Sequence, residues 1–304
     1  MPGIELAIKV DVDTDRGTRL GVPALLELFD AFGVRATFLF SLGPDNTGRA
    51  IKRIFRRGFF GKVARTNVVG TYGLRTLLNG VLWPGPHIGR RNEAVLRAAR
   101  DRGHEVGIHC YDHIRWQDGL ASMTRSEVYA ELDKARREFE RIFGKPAKTA
   151  GAAGWQANAV SLAAYDDAGF LYASDARGTQ PFWPCMDGTR FRTLQIPTTL
   201  PTLDELLGRP EYPLAKLGDV YLRHLRQDRL NVLTVHAEIE GMRHIGFFRD
   251  LLGHLRDVPV SFVTLQKAAE HLLRQPSSIL NCQLVEGEID GRSGTLALQG
   301  SPSS

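Results

Sequence analysis

Short apolar runs alternating with amphipathic stretches restrict the fold of this chain more than any other feature. Residues 5–10, 35–41, 105–109, 171–174, 193–196, 231–235 and 260–264 each have the length and composition of a strand. Helical patterns lie between several of them. The clearest covers residues 125–143, where Val128, Leu132, Ala135, Phe139 and Ile142 share one stripe and Thr124 with Glu127 makes a capping box. Such alternation predicts an α/β fold with a parallel sheet, and seven strands suit a distorted seven-stranded (β/α) barrel. At 304 residues the chain can bury the core of such a domain. Residues 1–276 are expected to form a single catalytic domain. Residues 277–304, rich in Gly and Ser, are expected to form a C-terminal tail, as a loose hairpin or a partly disordered end.

Charge is unevenly distributed along the chain. Between Gly43 and Arg91 lie ten Lys or Arg and one acid, Asp45, a local charge of +9. The remaining 29 basic and 33 acidic residues sum to −4, so the whole basic excess resides in this segment. Within it Ile51, Ile54, Phe55 and Phe59 fall on one helical face, with Lys52, Arg53, Arg56 and Arg57 on the other. Residues 43–91 therefore read as a basic amphipathic insertion for an anionic membrane surface or a lipid phosphate, contacted by Arg49, Lys52, Arg53, Arg56 and Arg57. The plainer alternative is a solvated basic helix packed on the barrel by its apolar face. Large apolar residues interleave with the basic ones and no nucleic-acid motif appears, so a nucleic-acid partner is not expected.

Cys110, Cys185 and Cys282 are widely spaced and odd in number, which argues against a disulfide framework and for a reducing compartment. The N-terminus does not read as a secretory signal, and no run of apolar residues is long enough to span a bilayer. A place in the cytoplasm, or on the cytoplasmic face of a membrane, is expected.

Chemistry concentrates at the ends of the strand candidates. Asp11 and Asp13, two apart, project to one side, and like charges held close require a cation or a proton between them. On its own this pair is equally well a solvated turn or a helix cap. His109 and His113 follow the third strand candidate. Read as one helical turn, the H-x-x-x-H spacing puts both imidazoles on one face, and with a carboxylate they suit a divalent metal. Another apolar run ends in His236, a candidate general acid or a merely hydrogen-bonded strand end. Asp175 follows the run 171–174 and is a candidate to orient His236, or the partner of Arg177 in a surface pair.

Asp11, Asp13, the 109–113 motif, Asp175 and His236, in this order and spacing, resemble the ordered motifs of the polysaccharide deacetylase (NodB-homology, carbohydrate esterase 4) family. The resemblance extends over nearly the whole chain. It is strongest to a deformylase branch of that family, through Val10-Asp11-Val12-Asp13-Thr14, Arg16-Gly17-Thr18-Arg19, Ser41-Leu42-Gly43-Pro44-Asp45-Asn46, Trp83-Pro84-Gly85, Ala152-Ala153-Gly154-Trp155, Leu200-Pro201-Thr202 and His236-Ala237-Glu238. One motif departs: the wider family has Arg-x-Pro supporting the catalytic carboxylate, and residues 150–155 here contain neither residue. Arg177 is the candidate replacement, with Arg16 and Arg19 as alternatives.

The resemblance implies a metal-dependent amide hydrolase. One divalent metal (zinc, manganese, cobalt or nickel) would be held by Asp13, His109 and His113. Asp11 would be the general base and His236, oriented by Asp175, the general acid. Backbone N–H groups near Thr14 or Tyr111 would stabilise the oxyanion. The implied substrate is a lipid-linked amino sugar, undecaprenyl phosphate-linked 4-deoxy-4-formamido-L-arabinose, deformylated for lipid A modification and polymyxin resistance. The enzyme would then work as a peripheral protein on the cytoplasmic side of the bacterial inner membrane. A deacetylase of N-acetyl sugars is the nearest rival, and a catalytically inactive lipid-binding scaffold is a rival of another class. The absence of a signal and the basic segment disfavour the first. The presence of both Asp11 and His236, which metal binding alone does not require, disfavours the second.

Overall fold

The computed structural model describes residues 3–50 and 76–303. All seven expected strands form. In chain order the strands are β1 (Ile4–Val12), β2 (Thr37–Ser41), β3 (Glu105–Cys110), β4 (Thr149–Ala150), β5 (Tyr172–Ala173), β6 (Trp183–Met186), β7 (Thr189–Arg190), β8 (Leu194–Gln195), β9 (Asn231–His236), β10 (Val260–Val263), β11 (Asn281–Gly287) and β12 (Leu296–Pro302). The main sheet runs β10-β1-β2-β3-β4-β5-β8, with β9 also paired to β1, and every pair in it is parallel. Past β8 the chain returns to β9, where Thr199 and Leu200 both donate backbone N–H to Val232 O at 3.1 Å. The sheet thereby curls into the expected distorted barrel.

β1 explains why the barrel centres on it. Nearly every residue of Ile-Glu-Leu-Ala-Ile-Lys-Val-Asp-Val is buried, as a strand covered on both faces requires. Val10 and Val12 face the helix layer, where they meet Leu25, Phe29 and Phe248 in the main core. The alternate residues Ala7, Lys9 and Asp11 face the barrel interior. Helix Arg125–Phe143 has the expected capping box, buries the whole predicted stripe and stops at Gly144 in the left-handed conformation (φ 69°).

The tail forms the hairpin that was one of its two expected forms, but a packed one. Instead of a loose end, β11 and β12 pair antiparallel, and β11 lies parallel to β6 in a second sheet ordered β12-β11-β6-β7. Cys282, Leu284 and Ala297 are buried there in a small cluster shared with Leu162, Ala176, Phe182 and Phe191. The glycines that suggested looseness are partly accounted for by the connecting turn, where Gly291 and Gly294 take positive φ. All three cysteines are buried and free.

Most of the basic insertion, including Lys52, Arg53, Arg56 and Arg57 and the expected amphipathic helix, lies outside the described residues. Its two roots are described, and both bond to loops at the mouth of the barrel. Asp45 accepts from Asp15 N (3.0 Å), Asn46 donates to Asp112 (2.7 Å), and Asn92 donates to Asp15 (2.9 Å). Arg49 is exposed and bonds Gly80 O at 3.0 Å.

Candidate metal centre and active site

The candidate residues converge at the C-terminal ends of the parallel strands, where loops are free to vary on a rigid frame. Asp11 and His236 are register partners on β1 and β9, so their side chains leave adjacent strands on one face. Asp13 sits just past the end of β1. His109 is on β3, and His113 is the first residue of helix His113–Gly119, capped by Asp112. The two histidines therefore bridge a strand end and a helix start, not one helical turn as the spacing suggested. Their rings still come together, with centroids 5.3 Å apart.

Asp13 Oδ1 lies 3.3 Å from His109 Nε2 and 3.4 Å from His113 Nε2. One ligand atom from each of the three lies within 4.8 Å of the others. Asp13 Oδ1 is buried and has no hydrogen-bond partner. Burial alone would raise this carboxyl, but the His113 and His109 imidazoles outweigh it and hold it well below the usual carboxylate range. His109 Nδ1 donates to Gly151 O at 2.7 Å, which fixes the tautomer that turns the Nε2 lone pair toward Asp13. A buried acceptor without a partner, two aligned imidazole nitrogens and a fixed tautomer fit a divalent cation.

Arg177 does not support Asp11. It bonds Glu205, Leu200 O (2.9 Å) and Thr198 O (3.3 Å). Arg16 and Arg19 do not pair with Asp11 either. The cation on Asp11 is Lys9, with Nζ 3.2 Å from Asp11 Oδ2 and 3.2 Å from Ser174 O. Lys9 is fully buried and its ammonium stands 5.3 Å from the centre of the Trp155 ring. It had a legible signal: a lysine in an apolar strand, two residues before Asp11 and so on the same face.

Asp175 does not reach His236. Its carboxylate accepts from Ala152 N (2.6 Å) and Gln195 Nε2 (2.8 Å), and burial pushes it up to about 6. It thereby holds the Gly151–Ala152 peptide whose carbonyl orients His109. His236 Nδ1 is buried without a partner, and the ring meets Trp155 edge to face at 6.3 Å. Glu238, quoted above only as part of a motif, grips the metal-site loop. Its Oε1 accepts from Asp13 N (3.1 Å), Thr14 N (2.9 Å) and Thr14 Oγ1 (2.8 Å). Thr14 N is therefore engaged and is not the oxyanion donor considered above. Gly17 is required there, since a Cβ would lie 1.9 Å from Glu238 Oε1.

A barrel mouth carrying an aspartate–dihistidine cluster beside a lysine-held aspartate and a histidine belongs to a hydrolase. The chain is a member of the polysaccharide deacetylase family, whose pattern matches residues 12–173, and like its relatives it hydrolyses amide bonds. Two relatives carry the name probable 4-deoxy-4-formamido-L-arabinose-phosphoundecaprenol deformylase. One, from Shewanella sediminis, is 38% identical over 98% of this chain and 95% of its own. The other, from Wigglesworthia glossinidia brevipalpis, is 30% identical over 93% and 98%. Among solved structures, a protein of Mycobacterium smegmatis assigned as a polysaccharide deacetylase superposes with a TM-score of 0.65 at 17% identity, covering 95% of this chain and 96% of its own. That likeness shows the fold.

Proposed function

We propose that this protein removes the formyl group from undecaprenyl phosphate-linked 4-deoxy-4-formamido-L-arabinose, releasing formate and the free amino sugar on its lipid. The observation that carries the reading is Asp11 and His236, side by side on β1 and β9, flanking the Asp13–His109–His113 cluster. The near full-length deformylase relatives supply the substrate.

Asp13, His109 and His113 would hold the divalent metal, which when bound would supply Lewis-acid activation of the formyl group and of the attacking water. Asp11, its carboxylate oriented by Lys9, takes the proton of the attacking water. The C–N bond breaks, and His236 delivers a proton to the leaving nitrogen, so that water is consumed and formate and amine are produced. Asp175 and Glu238 keep the His109 ring and the Asp13 loop in place. The product amine is cationic near neutral pH, and on lipid A this charge weakens the attraction of cationic peptides such as polymyxin.

The lipid-linked substrate requires docking at a membrane. The insertion roots are bonded to the loops of Asp15 and Asp112 at the site's mouth, and Val81, Leu82 and Trp83 beside them are 51%, 63% and 49% exposed. No described helix is long and apolar enough to cross a membrane. The roots and the exposed apolar residues support contact with a membrane surface through residues 43–91, which we place on the cytoplasmic face of the inner membrane. Formate release from the formamido lipid, compared with acetate release from its acetamido analogue, tests the reading. A clear preference for formyl is expected, and a preference for acetyl would make this a deacetylase of amino sugars.

A further inference from the structure

We propose that Arg16 binds the phosphate of the sugar phosphate substrate, at the mouth of the metal site. The proposal rests on the deformylase reading. Arg16 lies three residues past Asp13, where the chain leaves the C-terminal end of β1 and enters the turn Gly17–Gly21. Its side chain is half-buried, and its Nε is buried with no acceptor. A charged donor removed from water and left unpaired is costly, and a site that keeps one has a partner arriving from outside.

Of the neighbouring acids, Asp15 and Asp45 are already engaged, and Glu238 is engaged through Oε1 while its Oε2 is buried without a partner. Asp15 accepts from Asn92 at 2.9 Å and pairs with Arg91 at 3.5 Å. Glu238 Oε1 is taken up by Asp13 and Thr14, and Asp45 by Asp15 N and Thr47. Arg177 offers the contrast: its guanidinium is engaged by Glu205 and two carbonyls, so it serves the scaffold. Arg16 has no such set among the described residues. A planar guanidinium fork matches a tetrahedral oxyanion in a bidentate way. Arg16 follows Asp13 by three residues on the same loop, which puts an anion-binding group next in the chain to the amide-binding metal site.

The test compares wild type, Arg16→Gln and Arg16→Lys on two substrates, the polyprenyl phosphate-linked formamido sugar and the methyl glycoside of the same sugar. Metal content is measured in parallel. Arg16→Gln is expected to raise KM for the phosphate-linked substrate by roughly 10- to 100-fold. That loss should exceed any loss on the glycoside at least tenfold, with bound metal unchanged. Arg16→Lys should recover part of it, because a point charge lacks the fork. Equal losses on both substrates, or no loss on the phosphate-linked one, would overturn the proposal and leave the deformylase reading standing. Wild-type protein releasing formate from neither substrate would overturn both.

Discussion

Single side chains decide whether the barrel mouth is only a metal site or a hydrolytic one. Asp11 is the residue that separates the two, since it does not join the cluster of Asp13, His109 and His113. Asp11→Asn is expected to lower kcat by about a thousandfold or more while bound metal is retained. An active Asp11→Asn enzyme would remove Asp11 from the chemistry. Lys9 makes a sharper test of geometry. Its charge is buried against Asp11, and losing one partner of such a pair costs on the order of 3 kcal/mol. Lys9→Met is expected to reduce kcat more than KM and to lower the unfolding midpoint, whereas Lys9→Arg, which keeps the charge, restores most of both. If Lys9→Arg is as impaired as Lys9→Met, the charge on Asp11 is not what matters. Asp11, Asp13, His109 and His236 were legible because each sits at or just past the end of an apolar run, and His113 by its spacing from His109. The expected Asp175–His236 and Arg177–Asp11 pairings do not form: strand order does not reveal which carboxylate a buried cation will face.

At the level of elements, the long parallel strands and the capped helix Arg125–Phe143 announced themselves by composition. β4 is two residues long, and β6 contains Pro184, so neither carries a periodic signal. The C-terminal hairpin was legible as one alternative, but its packing against β6 was not, because its glycines and serines outweighed the alternation of Cys282 and Leu284 in composition. Helix Glu93–Asp101 leads into β3 through His104, which is buried against Phe29 and Phe38 and accepts from Ala36 N at 3.1 Å. Burial, with Arg35 nearby, lowers His104 from its ordinary 6.5 to about 4. A depressed folded value means that its contribution to stability is present above pH 6.5 and lost as pH falls through 4. Urea unfolding at pH 7 and pH 4 should show an acid-side loss of about 2–3 kcal/mol in wild type that His104→Gln largely lacks. An identical acid-side loss in both would show that His104 is not the titrating group.

Over the whole molecule, a barrel whose strands are sealed by packing presents one functional end, and the basic insertion is rooted at that end. The +9 segment was visible in the sequence; its attachment to Asp15 and Asp112 was not, because those bonds join residues far apart in the chain. Neutralising Arg53, Arg56 and Arg57 should weaken sedimentation with anionic liposomes, at about 1 kcal/mol per charge near the surface, and leave metal content as it is. Unchanged sedimentation would place membrane contact elsewhere. The central claim, that Asp13, His109 and His113 hold the ion on which amide hydrolysis depends, is tested most directly by stripping the protein of metal and restoring divalent ions stepwise while formate release is measured. The account predicts negligible release from stripped protein, recovery that saturates at one ion per chain, and no recovery in His113→Ala. Full activity in the stripped protein, or recovery in His113→Ala equal to wild type, would contradict it.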